Sequence, residues 1–138
     1  MRSVKSADTT PELVVRRIVH GLGYRYRLHG RDLPGSPDLV LPRHKKAIFV
    51  HGCFWHRHRC PNGQSTPATR VEYWQAKFAK NTARDAANLR RLRRAGWSVL
   101  VVWECQTKAS KSAALVRRLE RFLSQPEAPR LQRKRSSR

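Results

Sequence analysis

The run WSVLVVWEC at residues 97–105 constrains the fold more than any other stretch of this chain. A short, nearly continuous apolar segment rich in valine suits a strand covered on both faces, and covering both faces of a sheet requires helices on each side. The neighbouring segments supply them. TTPELVVRRIVHGLG, from position 9, has candidate caps at Thr9 and Thr10, Pro11 in the first turn, Leu13, Arg17, Ile18 and Leu22 at helical spacing, and Gly21 and Gly23 as a stop. YRYRL alternates, PGS turns, and the apolar runs DLVL and AIFV flank a polar PRHKK turn, which predicts a hairpin of buried strands. Helical spacing returns from Thr69 to Ala95, with Tyr73, Trp74, Phe78, Leu89 and Leu92 as apolar positions and Gly96 as the stop. A last amphipathic helix is predicted over residues 111–123, with Leu115, Leu119, Phe122 and Leu123 on one side. The order predicts an α/β or α+β sandwich, a mixed central sheet flanked by helices.

With 138 residues the chain has room for one core, expected over 1–125, followed by a basic, disordered tail over 126–138. Thirty Lys and Arg against nine Asp and Glu give a formal charge of +21, a field that favours a polyanion. Nucleic acid is the expected partner. No apolar run approaches the roughly 18 residues of a membrane span, and the N-terminus lacks the apolar stretch of a signal peptide, so a cytoplasmic protein is expected.

Reduced cysteines in such a compartment point to metal. Within HGCFWHRHRC, residues 51–60, Cys53, His58 and Cys60 are close enough to share an ion, and Cys105 ends a strand that can bring it to the same place. Four protein donors would make a closed, structural zinc site. The plainer alternative makes Cys53 and Cys105 small buried apolar groups and His58 a loop residue. Phosphodiester cleavage needs a metal-held oxygen clamp and a base for water. Pro37 and Asp38 lead one strand and His51 and His56 lie just beyond another, as in metal-dependent nucleases, but the second strand offers FVH where such sites commonly add a carboxylate, so a plain assignment fails, and Asp38 also fits a turn cap after PGSP.

With HGCFWHRHRC, PGSPD, EYWQAKFAKN, Arg84-Asp85 and GWSVLVVWEC all in order, the chain resembles the very short patch repair (Vsr) endonucleases from about Met1 to Cys105. The resemblance implies a restriction-endonuclease-like fold and nicking of double-stranded DNA 5′ of T in T:G mismatches, which initiates repair of deaminated 5-methylcytosine. Asp38 would hold catalytic Mg2+, with two ions expected and the backbone carbonyl of Val50 as a second ligand; Val stands where the family typically has Thr. His56 would be the general base, oriented by Asp85, while Glu12 and His51 would hold metal-bound waters. Cys53, His58, Cys60 and Cys105 would be the zinc ligands. Phe54, Trp55 and Trp74 match the wedge that opens the base stack, where a mispaired step resists least, and Lys77 and Asn81 match positions that read the mispaired bases. Trp74 as an ordinary helix core residue and Lys77 as a solvated one are the plainer alternatives.

The departures carry their own expectations. Met1 stands in register with the residue that the family inserts at the mismatch, so the N-terminal arm is nearly absent, and weaker clamping with relaxed sequence context is expected. The HRHR of residues 56–59 stands where the family has a more histidine-rich run, and Arg57 and Arg59 are expected on phosphates. A monomer, acting with other DNA repair factors, is the expected state. Two further readings stay open: a nicking endonuclease for another mispair, for a deaminated base or beside a restriction system, and a non-catalytic zinc-stabilised DNA-binding module.

Overall fold

The computed structural model describes residues 9–58, 60 and 67–126, with the side chains of Phe54 and Trp55 excepted. The expectations for Met1, Arg59, residues 127–138 of the tail and the rings of Phe54 and Trp55 fall outside the described residues. The elements are α1 (Thr10–Gly21), β1 (Arg27–Leu28), β2 (Leu39–Leu41), β3 (Lys46–His51), α2 (Cys53–His56), α3 (Val71–Arg94), β4 (Ser98–Trp103) and α4 (Ser112–Ser124), with 3-10 turns at Pro42–His44, Glu104–Thr107 and Ala109–Lys111. The strands form one sheet in the order β1-β2-β3-β4, antiparallel up to β3 and parallel between β3 and β4. No helix among the described residues is long and apolar enough to cross a membrane.

Both faces of the sheet are covered, as the valine-rich run requires. Leu39, Leu41, Ile48 and Val102 pack with Val15 and Val19 of α1 and Leu115, Leu119, Phe122 and Leu123 of α4. The alternate residues Val40, Ala47 and Phe49 face the other way and meet Leu92 of α3 and Trp97, with Val99 and Val101 against them. The period of two along β2, β3 and β4 thus divides the apolar residues between two helical layers. Gly30 is needed in the loop between β1 and β2, because a Cβ there would stand 2.5 Å from Val40 Cγ2.

Three local expectations change. α1 begins as expected, with the Thr9 hydroxyl accepting from the Glu12 N–H at 3.4 Å, but its inward face is Glu12, Val15 and Val19, and Leu13 is exposed. The helix is rotated so that a carboxylate, and not Leu13, faces the sheet. In the PRHKK segment the turn ends at Lys45, in the left-handed region, and Lys46 opens β3. Its side chain is 1% exposed and its Nζ donates to the carbonyls of Leu123 at 2.9 Å and Gln125 at 2.6 Å, capping the C-terminal end of α4. In α3 Phe78 and Leu92 are buried, whereas Tyr73 is exposed beneath the Arg70 guanidinium, 4.3 Å from its ring centre.

Candidate functional site

Strand β3 carries the site at its C-terminal end. Asp38 precedes β2, and its Oδ2 accepts the Val50 N–H at 2.6 Å across the antiparallel pair. A strand residue's N–H and C=O point to the same side, so the Val50 carbonyl also lies on the Asp38 side of β3. The rotation of α1 brings in Glu12, 3% exposed, and the backbone bond from His29 N–H to the Asp38 carbonyl, 3.0 Å, brings in His29. Donor atoms of Glu12, His29 and Asp38 lie within 4.8 Å of one another. The Arg16 Nη2 reaches Glu12 Oε1 at 3.2 Å and His29 Nε2 at 3.5 Å. Burial pushes the Asp38 carboxyl up to about 6, and the nearby Glu12 charge adds to this, against the Val50 N–H, which lowers it. Two carboxylates crowded into a partly dry pocket are a donor set that a divalent cation relieves. His29 and Arg16 escaped the sequence reading.

The next residue along β3, His51, begins a second group. Its ring stacks on that of His56, centres 3.9 Å apart and planes 7° from parallel, and His56 Nδ1 is hydrogen-bonded to Asp85 Oδ2 of α3. A carboxylate accepts, so Nδ1 carries the hydrogen and Nε2 is left with the lone pair of a base. Burial, then the neighbouring His56, lowers the His51 imidazole to about 4. His51 is therefore neutral near pH 7. His51 Nδ1 is buried with no hydrogen-bond partner among the described residues, an atom suited to a water or ion.

The third group follows from strand register. His51 pairs with Trp103 in the parallel β3–β4 ladder, so Cys53 and Cys105, each two residues further on, come together. The donor atoms of Cys53, His58, Cys60 and Cys105 lie within 4.8 Å of one another, and His58 Nδ1 is 3.7 Å from Cys53 Sγ and 3.5 Å from Cys105 Sγ. A tetrahedral zinc with bonds of about 2.3 Å to sulfur and 2.05 Å to nitrogen sets such edges at about 3.6 Å, so the donor set fits that ion. Burial, with the Cys60 and Cys105 sulfurs beside it, pushes the Cys53 thiol up to about 12. Only a cation would make such a thiol a ligand at neutral pH. Trp103 separates the second and third groups, edge-on to His51 at 5.1 Å and stacked on His58 at 4.4 Å, and Glu104 Oε1 accepts the Cys53 N–H at 3.2 Å. Neither was singled out from the sequence; the register of VWEC against FVHGC is the signal that could have found them.

Beside these groups lies the exposed part of α3. Trp74 is half-buried, its ring 5.7 Å from that of Phe78. Lys77 is exposed, and Asn81 Oδ1 accepts from Arg84 Nη2 at 2.7 Å. Arg57, expected on a phosphate, adopts a left-handed conformation with φ 54° that folds its guanidinium back over Phe78, 4.1 Å from the ring centre. This contact fastens the end of α2 to α3.

Comparison with known proteins gives a consistent set. The family model for the DNA mismatch endonuclease Vsr matches residues 1–62. The chain is 47% identical over 123 residues to the Type II nicking enzyme V.XorIIP of Xanthomonas oryzae pv. oryzae, covering 89% of this chain and 88% of that protein. It is 40% identical over 126 residues to the DNA mismatch endonuclease Vsr of Escherichia coli, covering 89% of this chain and 80% of that protein. With the Type II nicking enzyme V.NmeAIP of Neisseria meningitidis serogroup A the identity is 40% over 108 residues, 78% of this chain and 76% of that protein.

Proposed function

The chain belongs to the Vsr family of DNA mismatch endonucleases, and from that premise we propose that it is a Mg2+-dependent endonuclease that nicks DNA 5′ of T in T:G mismatches. The observation that carries the reading is the run of three groups along β3: Asp38 on Val50, His51 on His56, and Cys53 beside Cys105. This arrangement, with Asp38 leading a strand of a mixed sheet, is also what favours a restriction-endonuclease-like fold.

Asp38 and the Val50 carbonyl would hold Mg2+, with Glu12 and His51 placed to hold water nearby and His29 as a further donor in the same cluster. The cation, when bound, draws negative charge from the scissile phosphate and the departing oxygen. His56 Nε2 takes the proton of the water that attacks in line with the departing 3′ oxygen. Asp85 keeps the proton on Nδ1 and stabilises the imidazolium that forms, while the neutral His51 ring avoids a second positive charge against it. Cys53, His58, Cys60 and Cys105 would hold one structural Zn2+, clipping the loop after β3 to the end of β4. Phe54, Trp55 and Trp74 from the major groove, with Met1 from the minor groove, would part the stack at the mismatch, and Lys77 and Asn81 would read it.

A second reading, nicking at another mispair beside a restriction system, draws on the relatives that are Type II nicking enzymes. Nicking of end-labelled duplexes that differ only in T:G, U:G, C:A or T:A, with Mg2+ or EDTA, separates the two. A Mg2+-dependent nick confined to the T strand of T:G is the expected result; cutting of a different mispair would move the substrate, and the absence of any cut would contradict both readings.

A further inference from the structure

Lys77, Asn81 and Arg84 follow one another at helical spacing on α3, and the Arg84 guanidinium donates to Asn81 Oδ1 at 2.7 Å. A carboxamide offers an acceptor at one end and two donors at the other, and an asparagine left to itself suits adenine, where it accepts from N6 and donates to N7. A guanidinium has only donors, so its bond decides which way the amide is turned. The oxygen is held along the helix, and Nδ2 is the atom directed away from Arg84.

We propose that Arg84 is a specificity-determining positioning residue, which turns the Asn81 amide so that Nδ2, a donor, is the atom presented to the major-groove edge of the bases. Lys77, one turn earlier, can only donate. Together they suit an edge made entirely of acceptors. A T:G pair has such an edge, with O4 on thymine and O6 and N7 on guanine, whereas cytosine places an N4 amine, and adenine an N6 amine, where a donor would be repelled. The inference rests on the T:G reading above and goes beyond it by naming the residue that sets the polarity of the contact.

The test compares T:G with C:A, two mispairs that differ in the donors and acceptors they present. Single-turnover nicking is measured for the wild type, Arg84→Met, Arg84→Lys, Asn81→Ala and the double variant Asn81→Ala/Arg84→Met, with thermal melting to check that the exposed substitutions leave the fold intact. The T:G to C:A ratio is expected to fall about tenfold in Arg84→Met, the size of one lost base contact, less in Arg84→Lys, and no further when Arg84→Met is added to Asn81→Ala. An unchanged ratio in Arg84→Met, or a second tenfold fall in the double variant, would overturn the proposal, since Arg84 would then act independently of Asn81. A wild type with no preference for T:G over C:A would overturn the T:G reading itself and the role of Arg84 with it.

Discussion

The Asp38 cluster and the Cys53 cluster sit at the same end of β3 and are built in opposite ways. Glu12, His29 and Asp38 come from α1, the loop after β1 and the residue just before β2, and are brought together only by tertiary packing. Cys53, His58 and Cys60 fall within eight residues, and a single parallel register supplies Cys105. Their electrostatics differ as well. The carboxyl of Asp38 is raised only to about 6, so it is ionised at neutral pH and ready to exchange a cation; the Cys53 thiol is raised to about 12 and becomes a ligand only if a cation stays. One cluster is suited to a working ion, the other to a permanent one.

The largest test of this difference removes a member of each. Asp38→Ala is expected to lower single-turnover nicking by about a thousandfold or more, the equivalent of several kcal/mol of charge stabilisation, with little change in melting. Cys53→Ser should do the reverse in kind: zinc content measured by elemental analysis falls from about one per chain, and the melting temperature drops by roughly 10 °C, as the loss of 2–3 kcal/mol would give in a domain of this size. Full zinc occupancy with unchanged melting in Cys53→Ser would sink the structural role of that cluster. Next in size, His56→Ala should cost about 10²–10⁴ in nicking rate, and Asp85→Asn should slow nicking through the wrong tautomer while leaving DNA affinity in gel-shift titrations near that of the wild type.

The pH dependence sharpens the contrast. In the metal-free protein the folded Asp38 holds its proton more tightly than an ordinary carboxyl of 3.8, so its contribution to stability is fully present below about pH 3.8 and is lost as pH rises through about 6. Asp38→Asn, which removes the charge and keeps the shape, should therefore melt higher than the wild type at about pH 8 without divalent metal. The gap should close near pH 4 and also on adding Mg2+, which favours the wild type alone. Equal melting at about pH 8 would mean that no carboxylate crowding exists to be relieved. The smallest expected effect belongs to Arg57→Ala, a loss of about 0.5–1 kcal/mol in stability from the cation–π contact with Phe78, measured by denaturant melts, with nicking of T:G slowed several-fold as α2 loosens from α3.

The local cluster was legible in the sequence because its spacing is short and its residue types are rare, and the flanked sheet was legible because the valine-rich runs admit few other arrangements. What stayed hidden depends on rotation and register. The inward face of α1 is set by Glu12 meeting the sheet, which no apolar periodicity announces; Lys46 reads as a turn residue until the end of α4 is placed against it. His29 lies in an irregular loop, and nothing in its neighbours marks it as facing Asp38. Arg57 is a basic residue in a very basic chain, and only the left-handed turn at that position shows that it packs on a ring.

The most direct test of the working and holding roles of the two clusters is the pairing of binding with single-turnover nicking for Asp38→Ala on a T:G duplex in Mg2+. Retained affinity with nicking lost is the predicted result, since on the proposed reading Asp38 would serve the reaction while the Cys53 cluster, Trp74, Lys77 and Asn81 would remain in place to grip the DNA. Undiminished nicking by that variant would contradict the account, because the chemistry would then have to reside elsewhere on the chain.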